Sequence, residues 1–192
     1  MIEEIRPGLK RWAGPHPEFD PAEGDLDASY TDVASALFHG PDALVLFDPL
    51  VPEELWPELD EEVKQSGKPV VVLTTIFFHE RDRDEVARRY GARLEGDVAG
   101  VRLFSAERGN ERGTEVAYLL EEPRAVVFGD AVLGDQKGGL MITPWARNPE
   151  GLERTRKALL RLLDFPIDVV LPAHGEPVLS NGHDALARAL HA

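Results

Sequence analysis

Residues 70–85 read VVVLTTIFFHERDRDE. The stretch begins as an apolar, β-branched run, which is typical of a strand buried on both faces. It then becomes charged at His79 and Glu80. A strand of this kind needs layers on both sides, so the stretch favours an α/β fold. It also leaves an imidazole and a carboxylate at the carboxyl end of the strand.

The segments around this stretch alternate strands and helices. SALFHGPDALVLFDPL (residues 35–50) predicts a hairpin that turns at Gly40–Asp42, and its second strand, Ala43–Phe47, is apolar on both faces. The first stretch itself predicts a strand over Lys68–Phe78. Further strands are predicted at Ile5–Trp12, VAGVRLFSA, TEVAYLLEE, RAVVFGD and IDVVLPAHG, and helices at 52–67, 81–90, 151–164 and the last ten residues. The order predicts helices covering mixed sheets in a single domain over residues 1–192.

Composition narrows the class of protein. The 192 residues are 43% apolar and 29% charged, and the absence of cysteine excludes disulfides, thiolate metal sites and cysteine nucleophiles. No apolar run has the length of a signal peptide or a membrane span, so we expect a cytoplasmic protein without membrane contact. The net charge of −14 repels phosphate backbones, so a nucleic-acid partner is disfavoured and a small-molecule substrate or ligand is expected.

Polar residues gather where predicted strands end. Asp48, Asp130 and His174 each follow an apolar strand, as His79 and Glu80 do. Imidazole and carboxylate are ligands for a borderline cation such as zinc, and strand ends are where α/β sheets usually place their sites. Each residue alone also has a structural explanation, because Asp beside Pro or Gly forms turns and His79 can cap a helix. The shared placement favours a site.

Three segments resemble one known superfamily. VLFDPL (residues 45–50), VVFGDAVLG (126–134) and VLPAHGEPV (170–178), in this order, are similar to the metallo-β-lactamase-like hydrolases. That superfamily includes β-lactamases, glyoxalase II-type thioesterases and nucleases. The resemblance implies an αββα sandwich of two mixed sheets flanked by helices. The family's marker motif, THxHxDH, falls on the divergent sequence TTIFFHE at 74–80.

The divergence removes one half of the family's two-metal site. In this alignment the two histidines of HxH correspond to Thr75 and Phe77, and the histidine of the later GHTPGS motif corresponds to Asn110. The resemblance therefore implies that Thr75, Phe77 and Asn110 line a vacated first metal site. An alternative alignment, with His79, Arg81 and Asp84 as the degenerate motif, retains no site at all.

The resemblance implies that the second metal site keeps ligand-capable residues. These are His79, Glu80, Asp130 and His174, with Asp130 and His174 also catalytic, while Asp48 orients the strand-end loops without binding metal. The implied cofactor is one divalent ion, zinc or manganese, or none. Since ordinary imidazoles titrate at a pKa of about 6.5, metal is expected to dissociate just below neutral pH.

Two functions remain open at this point. The first is a single-metal hydrolase of a small ester, thioester or amide, although four protein ligands would fill a tetrahedral zinc shell and suit a structural ion. The second is a degenerate family member that binds a small ligand or a protein partner without chemistry. Trp145, in GGLMITPWARNPEG, is expected either to stack on a substrate or to close the core. The loops Gly14–Ala28 and Asp135–Pro149 are expected to shape the pocket.

Overall fold

Two β-sheets form the centre of the structure, which is a computed structural model describing residues 1–17, 30–107, 114–135, 137–143 and 149–192. The first sheet has five strands in sequence order: β1 (Glu3–Arg6), β2 (Leu9–Pro15), β3 (Asp32–His39), β4 (Leu44–Phe47) and β5 (Val70–Leu73). The second has the order β11-β8-β7-β6, with β6 (Val101–Glu107), β7 (Thr114–Leu120), β8 (Ala125–Phe128) and β11 (Val169–Pro172). A separate antiparallel pair is formed by β9 (Val132–Gly134) and β10 (Leu140–Ile142).

Helices cover the outer face of each sheet. α1 (Trp56–Ser66) and α2 (Arg83–Tyr90) pack on the first sheet, where Leu59 and Val86 meet the apolar side chains of β4 and β5. α3 (Pro149–Leu160) and α4 (Gly182–His191) pack on the second sheet in the same way. Between the sheets lies a third apolar cluster, which includes Val45, Phe47, Leu73, Leu120, Val127 and Leu171. The layers therefore run αββα, which confirms the predicted mixed α/β class.

Two strand predictions need correction. The strand predicted over Lys68–Phe78 ends at Leu73, and Phe77–His79 form a 3₁₀ turn. The ladder stops because the backbone N–H of Thr75 donates to the Asp48 carboxylate, 2.7 Å away. The single strand predicted at Ile5–Trp12 is two strands, β1 and β2, joined by a tight turn. The short strands β9 and β10 were not predicted from the sequence.

The sheet topology brings several strand ends to one edge. β4 runs parallel to β5 in the first sheet, and β8 runs parallel to β11 in the second. The two sheets are joined near this edge, where the backbone N–H of Ala34 donates to the carbonyl of Ala173 at 2.8 Å. The residues that follow these strands therefore share one place in the fold. Among the described residues, no helix is long and apolar enough to cross a membrane.

Candidate metal centre

Three buried side chains meet at this edge. One carboxylate oxygen of Asp130, Oδ1, lies 3.2 Å from His79 Nε2 and 3.2 Å from His174 Nε2. All three side chains are buried, and together they are the one group of three or more potential metal ligands that the described part of the chain brings together. We call His79, Asp130 and His174 the His–Asp–His cluster.

The spacing of the cluster fits a small divalent cation. Zinc bonds to imidazole nitrogen and carboxylate oxygen are about 2.0–2.2 Å long, so a tetrahedral site holds neighbouring donor atoms about 3.3 Å apart. The two distances to Asp130, at 3.2 Å, agree with that separation, and all three donor atoms lie within 4.8 Å of one another. Two imidazoles and a carboxylate are also the donor types that zinc and manganese accept. The residues present therefore fit the metal that the family resemblance implies.

Backbone contacts hold His174 in place. It lies two residues beyond the end of β11, and its carbonyl accepts a 2.9 Å hydrogen bond from the backbone N–H of Gly134. The next residue, Gly175, has φ +80°, and a Cβ there would lie 2.2 Å from the Gly134 carbonyl oxygen. Only glycine combines that dihedral angle with so close an approach. The Gly134–Gly175 contact thus fixes the turn that presents His174.

This contact makes Gly175 a site of predicted instability. We expect Gly175→Ala to lower the free energy of unfolding by at least about 3 kcal/mol, from left-handed strain and the collision with backbone together. Gly67→Ala is the matched control, because Gly67 has φ +59° and a Cβ added there would meet no atom within 4 Å. It should lose only about 1 kcal/mol. Equal losses in denaturant unfolding would contradict the role given to the contact.

Asp48 orients the imidazole of His79. Its Oδ2 lies 2.9 Å from His79 Nδ1, and its two oxygens also accept the backbone N–H and the hydroxyl of Thr75. A hydrogen bond from Nδ1–H to Asp48 leaves Nε2 facing Asp130. Metal-binding histidines are commonly held by a carboxylate in this way. Asp48 therefore lies one contact away from the cluster, on the ring of His79, and its predicted role in orienting the strand-end loops stays a prediction.

Two residues in strained backbone conformations, Asp48 and Arg81, contact each other at this edge. Asp48 has φ +46° and Arg81 has φ +42°, both in the left-handed region. The Arg81 guanidinium donates from Nη1 to the carbonyls of Ala34 and Asp48, each at 2.9 Å. The hydroxyl of Ser35 donates to the same Asp48 carbonyl at 2.8 Å. Non-glycine residues hold such angles only where their surroundings enforce them, and they concentrate at functional sites.

We expect removal of the Arg81 guanidinium to destabilise this edge. Arg81→Met keeps much of the side-chain volume but leaves two carbonyls without their charged donor, which should cost about 3 kcal/mol of unfolding free energy. Arg88→Met, at an exposed position on α2, is the control and should change stability by less than about 0.5 kcal/mol. Equal stability of the two variants in thermal or denaturant unfolding would show that Arg81 does not support Asp48.

The cluster shifts the pKa values of two of its members. Burial opposes a charge on His79, but the Asp48 carboxylate and the hydrogen bonds to Asp130 and Asp48 outweigh it and raise the pKa of His79 to about 9. Burial likewise opposes ionisation of Asp130, yet its hydrogen bonds to His174 and His79 hold its pKa well below the usual range. Without metal, His79 is therefore a buried cation between two carboxylates at neutral pH.

The raised pKa of His79 changes the expected pH dependence of metal binding. A metal must displace the proton from His79 Nε2, and that proton is retained up to a pKa of about 9. The sequence-based expectation, in which protons compete only below neutrality, used the ordinary imidazole value. Competition instead begins on the alkaline side of neutral pH. The cause is Asp48, whose contact with His79 spans 31 residues of sequence.

The remaining predicted site residues lie elsewhere. Glu80 is exposed and forms a 2.9 Å ion pair with Arg83, so the structure does not bring it into the cluster. Thr75 is buried and bound to Asp48. Phe77 is 54% exposed and stacks on Phe78, so it does not line an interior site. The predictions for Asn110 and Trp145 concern residues outside those that the structure describes.

Some residues at this edge were not predicted from the sequence. The rings of His16 and Tyr30 lie 5.8 and 6.0 Å from the ring of His174. Glu115 is buried, and its carboxylate accepts a 2.8 Å hydrogen bond from the backbone N–H of Ala131, next to Asp130. A signal existed for Glu115, since an acid inside the apolar strand β7 is unusual. His16 lies in a Pro-rich stretch whose pattern carries no such signal.

Comparison with known proteins identifies the fold. No protein-family model and no curated protein matches the chain. Solved structures do match: the metallo-β-lactamase DIM-1 shows 12% identity and a TM-score of 0.62, covering 98% of this chain and 97% of that one. An Erythrobacter litoralis metallo-β-lactamase in a mono-zinc form shows 14% identity and a TM-score of 0.62, covering 100% and 94%. A metallo-β-lactamase family protein from Thermus thermophilus shows 17% identity and a TM-score of 0.55, covering 98% and 80%.

These matches define the class of protein by its architecture. They extend over nearly the whole chain, and the layers and polar edge described above correspond to the αββα sandwich. The chain has the metallo-β-lactamase fold. The resemblance predicted from the sequence is thereby confirmed at the level of fold, and identities of 12–17% carry the comparison no further.

Proposed function

We propose that this chain is a single-metal hydrolase in which His79, Asp130 and His174 hold one divalent cation, zinc or manganese. The observation that carries the proposal is the approach of both Nε2 atoms to one Asp130 oxygen at 3.2 Å, in a buried place at the sheet edge. Catalytic zinc sites use three protein ligands and keep a position open, whereas structural sites use four. Leaving Glu80 out of the ligand set therefore favours catalysis over a structural ion.

The chain's own residues prepare the site for hydrolysis. A divalent cation bound there supplies Lewis-acid polarisation of a carbonyl and makes water more acidic. Asp48 fixes the ring of His79 through Nδ1, so Nε2 stays directed toward Asp130. Asp130 remains ionised at neutral pH because its pKa is held well below the usual range. The proposed substrates are small esters, thioesters or amides, in which a carbonyl carbon is attacked.

The side chains at the first-metal positions favour a single ion over a pair. The similar structure from Erythrobacter litoralis is described as a mono-zinc form, so a protein of this fold has been observed with one zinc. In the present chain, Thr75 is bound to Asp48 and Phe77 is largely exposed, so neither is available for a first metal. The three remaining ligands, His79, Asp130 and His174, all stand at positions that correspond to ligands of the second metal in the family.

Calorimetric titration with zinc and with manganese tests the proposal. At mildly alkaline pH we expect one ion to bind per chain, and His174→Ala should bind at least about a hundredfold more weakly because a ligand is lost. His191→Ala, at the exposed end of α4, is the matched control and should bind like the parent. Equal binding by the His174 variant would place the metal elsewhere. Metal binding without turnover of activated esters, thioesters or amides would refute the hydrolase assignment.

A second function is favoured by one observation. With the pKa of His79 raised to about 9, the cluster is held together by its own charges without a metal. The chain would then be a degenerate member of the fold class that binds a small ligand or protein partner without chemistry. Absence of zinc and manganese binding by the parent protein at alkaline pH would select this alternative.

A further inference from the structure

Glu115 is a buried acid near the start of β7, and it contacts the turn that carries Asp130. Its Oε1 accepts the backbone N–H of Ala131, the residue after Asp130, at 2.8 Å. A Cβ added to Gly129, the residue before Asp130, would lie 3.3 Å from the same oxygen. One carboxylate oxygen of Glu115 therefore lies against both chain neighbours of Asp130.

Thr75 connects this turn to the segment that carries His79. A Cβ on Gly129 would lie 2.4 Å from Thr75 Oγ1, so only glycine fits where the turn passes Thr75. The carbonyl of Thr75 accepts the backbone N–H of Val116, the residue after Glu115, at 2.7 Å. The hydroxyl of Thr75 donates to the carboxylate that orients the ring of His79. The start of β7 thus contacts the segments that follow both β5 and β8.

The position of the Asp130 side chain depends on these backbone contacts. Its Oδ1 lies 3.2 Å from the Nε2 atoms of His79 and His174, and a metal would need all three donor atoms to stay close. Rotation of the backbone at Asp130 would turn this oxygen away from both rings. Glu115 opposes the rotation, because it holds the peptide group that follows Asp130. A bond from a backbone N–H to a carboxylate is also stronger than one to a neutral acceptor.

We propose that Glu115 is a positioning residue of the candidate metal centre, whose carboxylate fixes the turn 129–131 and thereby directs Asp130 toward the two histidines. Glu115 is not among the three residues whose donor atoms converge, so it acts through Asp130 and not as a ligand. The inference rests on the proposed function for the presence of the cation. The contact between Glu115 and Ala131 itself forms without one.

Three substitutions separate the reach of the Glu115 side chain from its charge. Glu115→Gln keeps an acceptor oxygen at the same distance from the backbone, whereas Glu115→Met keeps the length without a comparable acceptor. Glu115→Asp keeps the charge but withdraws the carboxylate by about 1.5 Å, one carbon–carbon bond. Glu58→Met is the matched control, because Glu58 in α1 likewise accepts a backbone N–H, that of Ile2 at 3.2 Å, outside the cluster.

The first measurement is ¹⁵N NMR of the metal-free protein at mildly acid pH. In the Met and Asp variants we expect faster hydrogen exchange of the Ala131 amide and loss of the signal from His79 Nε2–H, which faces Asp130. The Nδ1–H of the same ring faces Asp48 and should keep its signal, whereas general loss of stability would remove both ring signals together. Glu115→Gln and Glu58→Met should keep all of these signals. An unchanged Nε2–H signal in the Met and Asp variants would overturn the proposal.

The second measurement is calorimetric titration with zinc at mildly alkaline pH. The Met and Asp variants should bind zinc at least about tenfold more weakly than the parent, as is usual when a group that orients a metal ligand is lost. Glu115→Gln should bind more tightly than either, and Glu58→Met should bind like the parent. If the Met variant does not fold, the Asp and Gln variants decide between the outcomes.

The results distinguish this inference from the proposed function. Parent-like zinc affinity in the Met and Asp variants, or a Gln variant as weak as they are, would overturn the role of Glu115 while leaving the metal centre in place. Absence of zinc binding by the parent would refute the metal centre instead. The ring and amide signals of the metal-free protein would then still decide whether Glu115 directs Asp130.

Discussion

Replacement of Asp130 by Asn is expected to weaken both metal binding and folding stability. We expect Asp130→Asn to lower zinc affinity at least about a hundredfold and to remove hydrolytic activity, because the amide is a poor ligand and the negative charge is lost. The metal-free protein should also lose about 3 kcal/mol of unfolding free energy near neutral pH, since removing one partner leaves the buried His79 cation with a weaker set of contacts.

The measurements are calorimetric titration with zinc and denaturant unfolding after chelation. Asp164→Asn, at an exposed position outside the cluster, makes the same chemical change and should be neutral in both. A variant at Asp130 that bound zinc like the parent would remove Asp130 from the ligand set. Unchanged stability of the metal-free variant would show that the His–Asp–His contacts contribute nothing to folding.

The loss of stability with rising pH that His79 causes in the metal-free protein should disappear when metal is added. In the metal-free protein, the pKa of His79 is raised from 6.5 to about 9, so the folded state binds the proton more tightly than the unfolded state. This contribution, about 3 kcal/mol, is fully present below pH 6.5 and is lost as the pH rises through about 9. Asp130 acts in the acid range, because folding lowers its pKa. Its contribution to stability is present above the pKa that its carboxyl has in the unfolded chain, and it is lost as the pH falls through the pKa of the folded state.

With zinc present, the same proton becomes a competitor. Since binding releases it from His79, zinc affinity should rise by up to about tenfold per pH unit between neutrality and about pH 9. This rise offsets the loss of stability of the metal-free fold, so the zinc-saturated protein should keep a nearly constant stability over that range. Asp48→Asn removes the main cause of the raised pKa of His79. In this variant, the loss of metal-free stability and the rise of zinc affinity should both occur closer to neutral pH. Thermal unfolding across pH, with zinc and with chelator, measures them. Parallel pH profiles in the two conditions would contradict the linkage.

Much of the fold could be predicted from local pattern. The apolar runs at β4, β5, β8 and β11 identified buried strands, and glycines marked the ends of α1 and α2, where Gly67 and Gly91 adopt positive φ. The end of β5 could not be predicted in this way. Ile76, Phe77 and Phe78 continue the apolar pattern, but the chain turns because Thr75 bonds to Asp48, a contact across 27 residues.

The sequence identified most residues of the candidate site, but it did not show how their side chains are arranged. His79, Asp130 and His174 could be named because each follows an apolar strand, and parallel pairing brings such ends together. Glu80 was named with them because it follows the same predicted strand and, with His79, corresponds to the DH pair of the family motif. It caps the 3₁₀ turn Phe77–His79, and the structure leaves it at the surface. The role of Arg81 depends on carbonyls of Ala34 and Asp48, which no sequence pattern identifies.

Anomalous diffraction from crystals grown with zinc tests most directly whether the proposed cation lies between His79, Asp130 and His174. We expect a single strong peak at the zinc edge, about 2.0–2.2 Å from Nε2 of each histidine and from a carboxylate oxygen of Asp130. Soaking in chelator should abolish it. No peak between these three residues at alkaline pH, or a peak beside Thr75 and Asn110 instead, would show that the cation does not bind there.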